Sequence, residues 1–217
     1  AWGMTEMSPL GSFCSIKPAL KNLDDDALYT LKMKQGFPAF TVEMKITDDQ
    51  DHPLPHDGKT FGRLKVRGPA VAKQYFGYDE PILDAEGFFD TGDVATIDPH
   101  GYMHITDRSK DVIKSGGEWI SSIELENLAI GHPAVAEAAV IGVAHPKWDE
   151  RPLLIIVRKK DMTLEREEIL RFFEGKIAKW WMPDDVVFVE EIPHTATGKI
   201  QKTTLRDQFA QYKLPSA

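Results

Sequence analysis

Apolar and polar side chains alternate in short runs along the first half of the chain, which is the period of a β-strand. The alternation is clearest at 41–47, Thr-Val-Glu-Met-Lys-Ile-Thr. A polar stretch at 48–58, closed by Asp-Gly, predicts a hairpin-type connection to a returning strand at 62–69. Further short strands are predicted at 88–89, 94–97 and 102–105. We therefore expect this half to be mainly β, as small sheets or a barrel-like arrangement.

The second half alternates helical and strand patterns. Ser121 and Glu124 have the S-x-x-E spacing of a capping box, which predicts a helix through about Ile130. Strands are predicted at 135–143, 153–157 and 186–189. A longer helix, capped by Thr163 and ended by Pro183, has one apolar face made by Ile169, Phe172, Phe173, Ile177 and Trp180. A short final helix is marked by Leu205, Phe209 and Tyr212. This order predicts a compact α+β domain.

Charge divides the chain at the same place as the pattern. The 217 residues include 26 basic and 34 acidic side chains, a net charge of −8. Residues 1–107 hold 10 basic and 17 acidic residues, a net −7, and the remainder is close to neutral at −1. We place the boundary near 107–110. The acidic balance argues against a nucleic-acid partner, which requires a basic surface.

Other simple counts exclude several classes of site. The single cysteine, Cys14, excludes an intrachain disulfide and a CxxC metal site. The seven histidines show no ligand spacing, so no zinc site is expected. No stretch approaches 18 consecutive apolar residues, so the sequence predicts no transmembrane segment.

One polar loop, 192–202, contains a lysine beside a glycine. Gly198 lets backbone approach a ligand, and Lys199 offers a positive charge suited to phosphate or carboxylate. The loop is not a Walker A motif, because Pro193 stands at the first glycine position and Ile200 follows the lysine. Taken alone, a solvated surface turn explains these residues better than a ligand site does.

Three other clusters are ambiguous by themselves. Aspartates at 90–93 and 107–111 suit ribose hydroxyls, or are turn and linker residues. The glycine pair Gly116-Gly117 before a helix allows a thin ligand to pass, or is only a flexible loop. Thr5-Glu6 offers the hard oxygen ligands that Mg²⁺ takes.

In order, these clusters resemble the carboxy-terminal half of the acyl-adenylate-forming superfamily, which includes acyl-CoA synthetases, luciferases and the adenylation domains of peptide synthetases. The resemblance covers essentially the whole chain. Its motifs are aromatic-Gly-x-Thr-Glu at 2–6, Gly-Glu-Leu-x-x-Arg-Gly-Pro at 62–69, the ribose motif at 91–93, the hinge motif at 107–111 and the late Gly-Lys motif at 193–199. Arg63 replaces the usual Glu of the second motif. Stretches 115–121 and 179–183 resemble bacterial medium- or long-chain fatty-acid–CoA ligases.

The resemblance implies an enzyme that joins a carboxylate to ATP and then transfers the acyl group from the adenylate to CoA. It assigns catalytic roles to three residues: Lys199 bridges the carboxylate and the α-phosphate, Thr5 contacts phosphate, and Glu6 helps to hold Mg²⁺. Nucleotide binding is shared by Thr5 and Lys199 with Trp2, Gly3, Asp93 and Arg108. Among these, Asp93 grips the ribose hydroxyls and Arg108 assists.

The resemblance also implies a mobile small domain. Its hinge lies at 108–110, centred on Lys110 where many relatives have Asp, and separates a large-domain part at 1–107 from the small domain at 111–217. Rotation about the hinge presents the CoA tunnel residues Gly116, Gly117, Glu118 and Trp119. Simple packing remains the alternative for Trp119 and is preferred for Trp180 and Trp181.

The family's phosphate loop does not occur in the sequence, so we expect a fragment that is inactive alone, with part of an active site. Fatty acid, ATP and CoA are the implied partners, in the cytoplasm and at most peripheral to a membrane, and a homodimer stays open. Two alternatives remain: an adenylating enzyme with another acceptor, such as a carrier protein or oxygen, and a non-catalytic interaction module.

Overall fold

The computed structural model describes residues 1–196 and 198–216, and it divides into two compact units, 1–109 and 110–217. The division lies within the predicted hinge segment 108–110, whose movement stays a prediction. In the part of the chain that the structure describes, no helix has the length and apolarity that a membrane crossing requires.

Unit 1 contains two open antiparallel sheets. The first has the order β1-β2-β3, with strands Trp2–Gly3, Leu10–Phe13 and Phe37–Pro38. The second has the order β4-β5-β6-β7, with strands Glu43–Thr47, Gly62–Arg67, Phe89–Ile97 and Met103–Arg108. The barrel-like arrangement was wrong, because β4 and β7 lie at opposite edges and do not close the sheet. The small sheets that were the other expectation are present.

Unit 1 also contains a helix, α1 (Asp25–Lys32), that the hydrophobic pattern did not predict. Asp24 caps it, since its side chain accepts a hydrogen bond from the Ala27 backbone N–H at 2.8 Å. Acidic residues in the first turn and Lys32 in the last turn complement the helix dipole. Its apolar face is short, with Leu31 buried and Ala27 and Leu28 partly buried, so the periodic signal is weak.

Unit 2 is an α+β unit built on one sheet. Its strands β8 (Ile113–Ser115), β9 (Glu118–Ile120), β10 (Val135–His145) and β11 (Asp149–Arg158) have the order β10-β11-β8-β9, and β12 (Asp185–Val189) pairs parallel with β11. Its helices are α2 (Ser122–Ile130), α3 (Arg166–Phe173) and α4 (Lys202–Gln208). The predicted capping contact is present at α2, where Ser121 Oγ accepts from the Glu124 N–H at 3.1 Å.

Helix α3 is shorter than its apolar pattern predicted. Its N-cap is Glu165 rather than Thr163, and it ends at Phe173. Gly175 follows with a φ of +73°, a left-handed conformation that ends a helix and suits glycine. Trp180 therefore lies in a separate 3₁₀ helix, Lys179–Trp181.

Each unit has its own apolar core. In unit 1 the core lies between the β4–β7 sheet and the 3₁₀ helix Thr5–Met7, with Met7 almost fully buried. In unit 2 the inward side chains of β10 and β11 pack against Leu205 of α4 and Leu214 of the tail. Each such apolar side chain contributes about 1.5–3 kcal/mol on burial, so the final helix is held mainly by packing.

Candidate functional site

A buried carboxylate in β6 is the centre of the site residues in unit 1. Asp93 is 5% exposed. Trp2 Nε1 donates a hydrogen bond to its Oδ2 at 3.2 Å, and Arg108 Nη1 forms an ion pair with its Oδ1 at 2.8 Å. A carboxylate has about four acceptor positions. Each oxygen of Asp93 therefore retains capacity for a further donor, such as one of two ribose hydroxyls.

The charge of Asp93 is set by opposing effects. Burial raises the pKa of this carboxyl, whereas the charge of Arg108 and the hydrogen bond from Trp2 lower it. The net pKa is above the usual value, since burial is the largest effect and Asp90 adds like-charge repulsion. A buried carboxylate whose charged form is disfavoured, and which still has unused acceptor positions, is typical of a functional site.

The backbone around Asp93 is held by local hydrogen bonds. Gly92 has a φ of +71°, which favours glycine, and its N–H donates to Asp90 Oδ1 at 3.0 Å. Thr91 Oγ1 donates to the Leu64 carbonyl at 2.9 Å, which ties the motif to β5. Pairing of β6 with β7 places Asp93 opposite Arg108. The two short strands predicted at 88–89 and 94–97 are thus wrong, because they are one strand, β6, whose pairing with β5 is irregular at 91–93. The irregularity and these hydrogen bonds fix the direction of the carboxylate.

Arg63, which replaces the family's usual Glu, lies beside this motif. Its Nη2 forms an ion pair with Asp90 Oδ2. Within the described residues its Nε has no hydrogen-bond partner. The substitution therefore adds a cation to the edge of the ribose motif without displacing Asp93.

The indole of Trp2 packs closely against the backbone of β2. A Cβ on Gly11 would lie 2.4 Å from Trp2 Cζ3, so only glycine lets the ring lie flat on β2. A Cβ on Gly3 would lie 1.9 Å from the Pro9 carbonyl oxygen, which the Met4 N–H contacts at 2.9 Å. Gly3 is thus required by a close backbone approach, and Trp2 forms a rigid aromatic wall next to Asp93.

Thr5 and Glu6 lie in the 3₁₀ helix that follows Trp2. Thr5 is exposed. The Tyr75 hydroxyl donates to Glu6 Oε1 at 2.8 Å, and the Ala72 N–H donates to the Glu6 carbonyl at 2.7 Å. Among the described residues no group of three or more His, Cys, Asp or Glu side chains could hold a metal ion. Glu6 therefore fits Mg²⁺ only as one carboxylate ligand beside nucleotide phosphates, which is how this metal is commonly held.

Lys199 lies in an exposed turn of unit 2. The Thr195 N–H donates to the Lys199 carbonyl at 2.7 Å, and the Lys199 N–H donates to Thr195 Oγ1 at 3.2 Å. Gly198 has a φ of +80° and Ile200 forms a β-bridge with His194. Thr197 of the same motif lies outside the described residues. The turn holds the backbone of Lys199 while its ammonium group projects to solvent.

Gly116 and Gly117 form the two-residue turn of the β8–β9 hairpin. Their φ angles of +59° and +87° are those of a type I′ turn, and Ser115 pairs with Glu118 across it. The predicted flexible loop is therefore an ordered hairpin turn that the two glycines close. A Cβ on Gly116 would lie 2.8 Å from Trp148 Cε3, so the turn approaches an indole ring closely.

A groove of about 320 Å³ lies beside this hairpin, within unit 2. Arg151 forms its polar side, with an ion pair from its Nε to Asp184 Oδ1 at 2.6 Å and a hydrogen bond from its Nη1 to Ser115 Oγ at 3.1 Å. Trp148 and Trp180 are 42% and 43% exposed. The residues that line it include Ser115, Gly116, Glu118, Trp148, Arg151 and Trp180.

The sequence interpretation missed part of this groove. Trp181 is 8% exposed and packs as expected, but Trp180 is half exposed and lines the groove. Gly117 and Trp119 lie outside its lining, and Lys114 Nζ stacks 5.4 Å from the Trp119 ring centre. The only signal for Trp148 was an aromatic residue just before an apolar strand, and that position usually indicates packing.

Comparison with known proteins identifies the same relatives for both units. The family profile described as AMP-binding enzyme matches residues 1–76, and the AMP-binding enzyme C-terminal domain matches residues 124–199. The 3-methylmercaptopropionyl-CoA ligase of Ruegeria pomeroyi is 58% identical over 96% of this chain and 39% of its own length. The medium-chain-fatty-acid–CoA ligase of Ectopseudomonas oleovorans is 48% identical over 100% of this chain and 40% of its own.

Solved structures agree. ATP-bound MatB from Rhodopseudomonas palustris aligns with a TM-score of 0.78 and 32% identity, over 97% of this chain and 40% of that one. The chain thus spans about two fifths of the length of these relatives. Together the two profiles match more than half of the chain, so it belongs to the AMP-binding enzymes, the acyl-adenylate-forming superfamily, and contains their C-terminal domain.

Proposed function

We propose that this chain carries the ribose-binding, acyl-activating and acceptor-binding residues of an ATP-dependent carboxylate–CoA ligase. The observation that supports this most is Asp93, a buried carboxylate between Trp2 and Arg108 with unused acceptor positions. A purely structural role explains its ion pair but not the retained acceptor capacity next to an aromatic wall. The names of the relatives point to the same reaction class.

In the first step, a carboxylate oxygen of the acid attacks the α-phosphorus of ATP and the bond to pyrophosphate breaks. Asp93 accepts hydrogen bonds from the ribose hydroxyls, and the Trp2 ring borders the adenine. Lys199 places its ammonium group between the carboxylate and the α-phosphate, where negative charge gathers in the transition state. A positioned cation of this kind contributes strongly to rate, because the site needs no reorganisation during reaction.

Glu6 and Thr5 serve the phosphate end of the nucleotide. Thr5 donates its hydroxyl to a phosphate oxygen, and the Glu6 carboxylate, oriented by the Tyr75 hydroxyl at its Oε1, would bind a metal ion. Bound Mg²⁺ would neutralise the pyrophosphate leaving group. Glu6 would supply one ligand to this metal, and the nucleotide phosphates would supply others.

In the second step, the CoA thiolate attacks the acyl carbonyl and the bond to AMP breaks. The hinge at Lys110 changes which face of unit 2 is used, since one loop residue can absorb a large change in φ and ψ. Gly116 and Gly117 then face the pantetheine arm, flanked by Glu118 and Trp119. The indoles of Trp148 and Trp180 offer apolar faces for the nucleotide end of CoA.

The acid is an unbranched aliphatic carboxylate. The relatives at 58% and 48% identity are named for 3-methylmercaptopropionate and for medium-chain fatty acids, and both acyl groups are unbranched. An aromatic acid is disfavoured, since the trans-cinnamate ligase of Petunia hybrida is only 36% identical. Medium-chain fatty acids and 3-methylmercaptopropionate are the two candidate acids to be compared.

The test separates the two half-reactions in the protein that carries this chain. ATP–pyrophosphate exchange with octanoate or 3-methylmercaptopropionate measures adenylation, and thiol consumption from supplied acyl-adenylate measures the second step. Lys199→Ala should slow exchange about 10²–10³-fold and spare the second step. Lys160→Ala, at another exposed lysine of unit 2, is the matched control. Equal loss of both steps would overturn the role of Lys199.

The hinge and the acceptor are tested in the same assays. Lys110→Pro locks φ and should slow the second step more than the first. Release of AMP with a carrier protein or with oxygen, but not with CoA, would assign a different acceptor. Absence of exchange with every acid, despite AMP binding, would favour a non-catalytic module.

A further inference from the structure

Helix α4 begins in an unfavourable way. Its first residue is Lys202, its first turn has no acidic residue, and Gln201 makes no side-chain capping bond. A cation at a helix N-terminus opposes the helix dipole, where an acid or a capping oxygen is favoured. A local rule broken at one position calls for a compensating contact elsewhere.

That contact is a buried ion pair. Lys202 Nζ lies 2.7 Å from Glu126 Oε1 and donates to Ser122 Oγ at 2.6 Å, and the two charged side chains are 10% and 11% exposed. The same Glu126 oxygen accepts from the Val140 N–H at 2.8 Å. One lysine therefore links the start of α4 to helix α2 and to the edge strand β10.

The link lies three residues after Lys199. The Gln201 N–H donates to the Pro193 carbonyl at 2.8 Å and closes the base of the Lys199 turn. Beyond this base, the turn contains Gly198 in a left-handed conformation and is exposed. Lys202 is thus the first buried, charge-paired residue after the turn, and it sets where the turn meets the body of unit 2.

Stability alone explains this pair poorly. Burying two charges costs desolvation free energy, and well-packed apolar residues at such places are often as stabilising or more so. The hydrogen bonds of this pair are, however, directional. Glu126 is itself held by the Val140 N–H of β10, so the pair fixes a direction as well as a distance. Direction matters for a neighbouring reactive group, since a displacement of about 1 Å costs about 10²-fold in rate.

We propose that Lys202 is a positioning residue for adenylation, which acts through Glu126 to fix the Lys199 turn on α2 and β10. The inference rests on the proposed function, in which Lys199 serves the first step. It predicts a defect confined to that step. It also predicts a defect in kcat rather than in the KM for ATP, because Lys202 itself does not contact the nucleotide.

The test uses Lys202→Met, Glu126→Gln and the double variant in the protein that carries this chain. Lys202→Met should lower kcat for ATP–pyrophosphate exchange by about 10–100-fold, with the KM for ATP and the second step from supplied acyl-adenylate unchanged. The double variant removes both buried charges, so it should recover the melting temperature but not the exchange rate. Lys213→Met, at an exposed lysine after α4, should change neither.

Several outcomes decide against the proposal. Recovery of the exchange rate together with melting temperature in the double variant would show a purely stabilising pair. Equal losses in both steps would show a general folding defect. If Lys202→Met does not fold, Glu126→Gln decides, because Lys202 keeps Ser122 as an acceptor. If Lys199→Ala fails to slow exchange, the proposed function fails; if Lys199→Ala slows it and the Lys202 and Glu126 variants do not, only this inference fails.

Discussion

Replacement of Arg151 by methionine should destabilise unit 2 strongly. Arg151 Nε donates to Asp184 Oδ1 at 2.6 Å, Nη1 donates to Ser115 Oγ and to the Trp180 carbonyl, and Nη2 donates to the Met182 carbonyl at 3.0 Å. The side chains of the ion pair are only 12% and 10% exposed. Methionine keeps an unbranched side chain but removes all four donated bonds.

The magnitude follows from the burial. Breaking a buried pair by removal of one partner costs about 3–5 kcal/mol, because the other charge stays buried without its partner. Asp184 retains a hydrogen bond from Ser216 Oγ, which places the expected loss near the lower value, about 3 kcal/mol. For a unit of this size, 1 kcal/mol corresponds to about 4–8 °C, so the melting temperature should fall by at least about 12 °C.

Urea unfolding, followed by tryptophan fluorescence, measures the loss of stability. Arg151→Met with Asp184→Asn should recover part of it, since no buried charge is then left. Arg171→Met is the matched control, because Arg171 is exposed and donates a single bond to the Glu167 carbonyl, and it should cost less than about 0.5 kcal/mol. A loss below about 1 kcal/mol for Arg151→Met would refute the reasoning and indicate a solvated pair.

Three further predictions concern the site residues. Tyr75→Phe removes the hydrogen bond to Glu6 Oε1, so the Mg²⁺ concentration for half-maximal exchange should rise several-fold. Titration with Mn²⁺, followed by electron paramagnetic resonance, measures metal affinity independently of activity. An unchanged affinity would contradict the role of Tyr75. Because burial raises the folded-state pKa of Asp93, its contribution to stability is present at acid pH and lost as pH rises through that pKa. The free energy of unfolding of Asp93→Asn, relative to the unsubstituted protein, should therefore increase from pH 3 to pH 7 in denaturation measurements. A difference that decreases with pH would contradict the raised pKa of Asp93. Gly116→Ala places a methyl group 2.8 Å from Trp148, in a backbone conformation unfavourable for alanine. It should therefore raise the KM for CoA and leave ATP–pyrophosphate exchange unchanged. Equal effects on the two steps would contradict this prediction.

Elements with a strong local signal were predictable. The alternation at 41–47 and the capping box at Ser121 act through neighbouring residues only, and both are present in the structure. Helix α1 was missed because it is short and its apolar face has only Leu31 fully buried. Helix α3 was predicted too long because Gly175 ends it while the apolar spacing continues into the next segment.

One short motif could be recognised in the sequence, and its role in binding ribose stays a prediction. That motif is Thr91-Gly92-Asp93, and its Gly92 has the left-handed conformation that favours glycine. The contact of Asp93 with Trp2 joins residues 91 positions apart, and no local pattern specifies it. The groove was missed for the same reason, since Trp148 and Trp180 line it together only after separate segments have folded.

The sequence by itself determined the family and most of the strands, because motif order and side-chain period are properties of the linear chain. It also located the candidate chemistry at Lys199 and Asp93, whose assignment to a reaction stays our proposal. Only the tertiary structure decided that the sheets are open, that Asp93 is buried between Trp2 and Arg108, and that Lys202 is paired with Glu126. Burial and long-range pairing depend on which distant segments exclude water together, and that is a property of the packed chain.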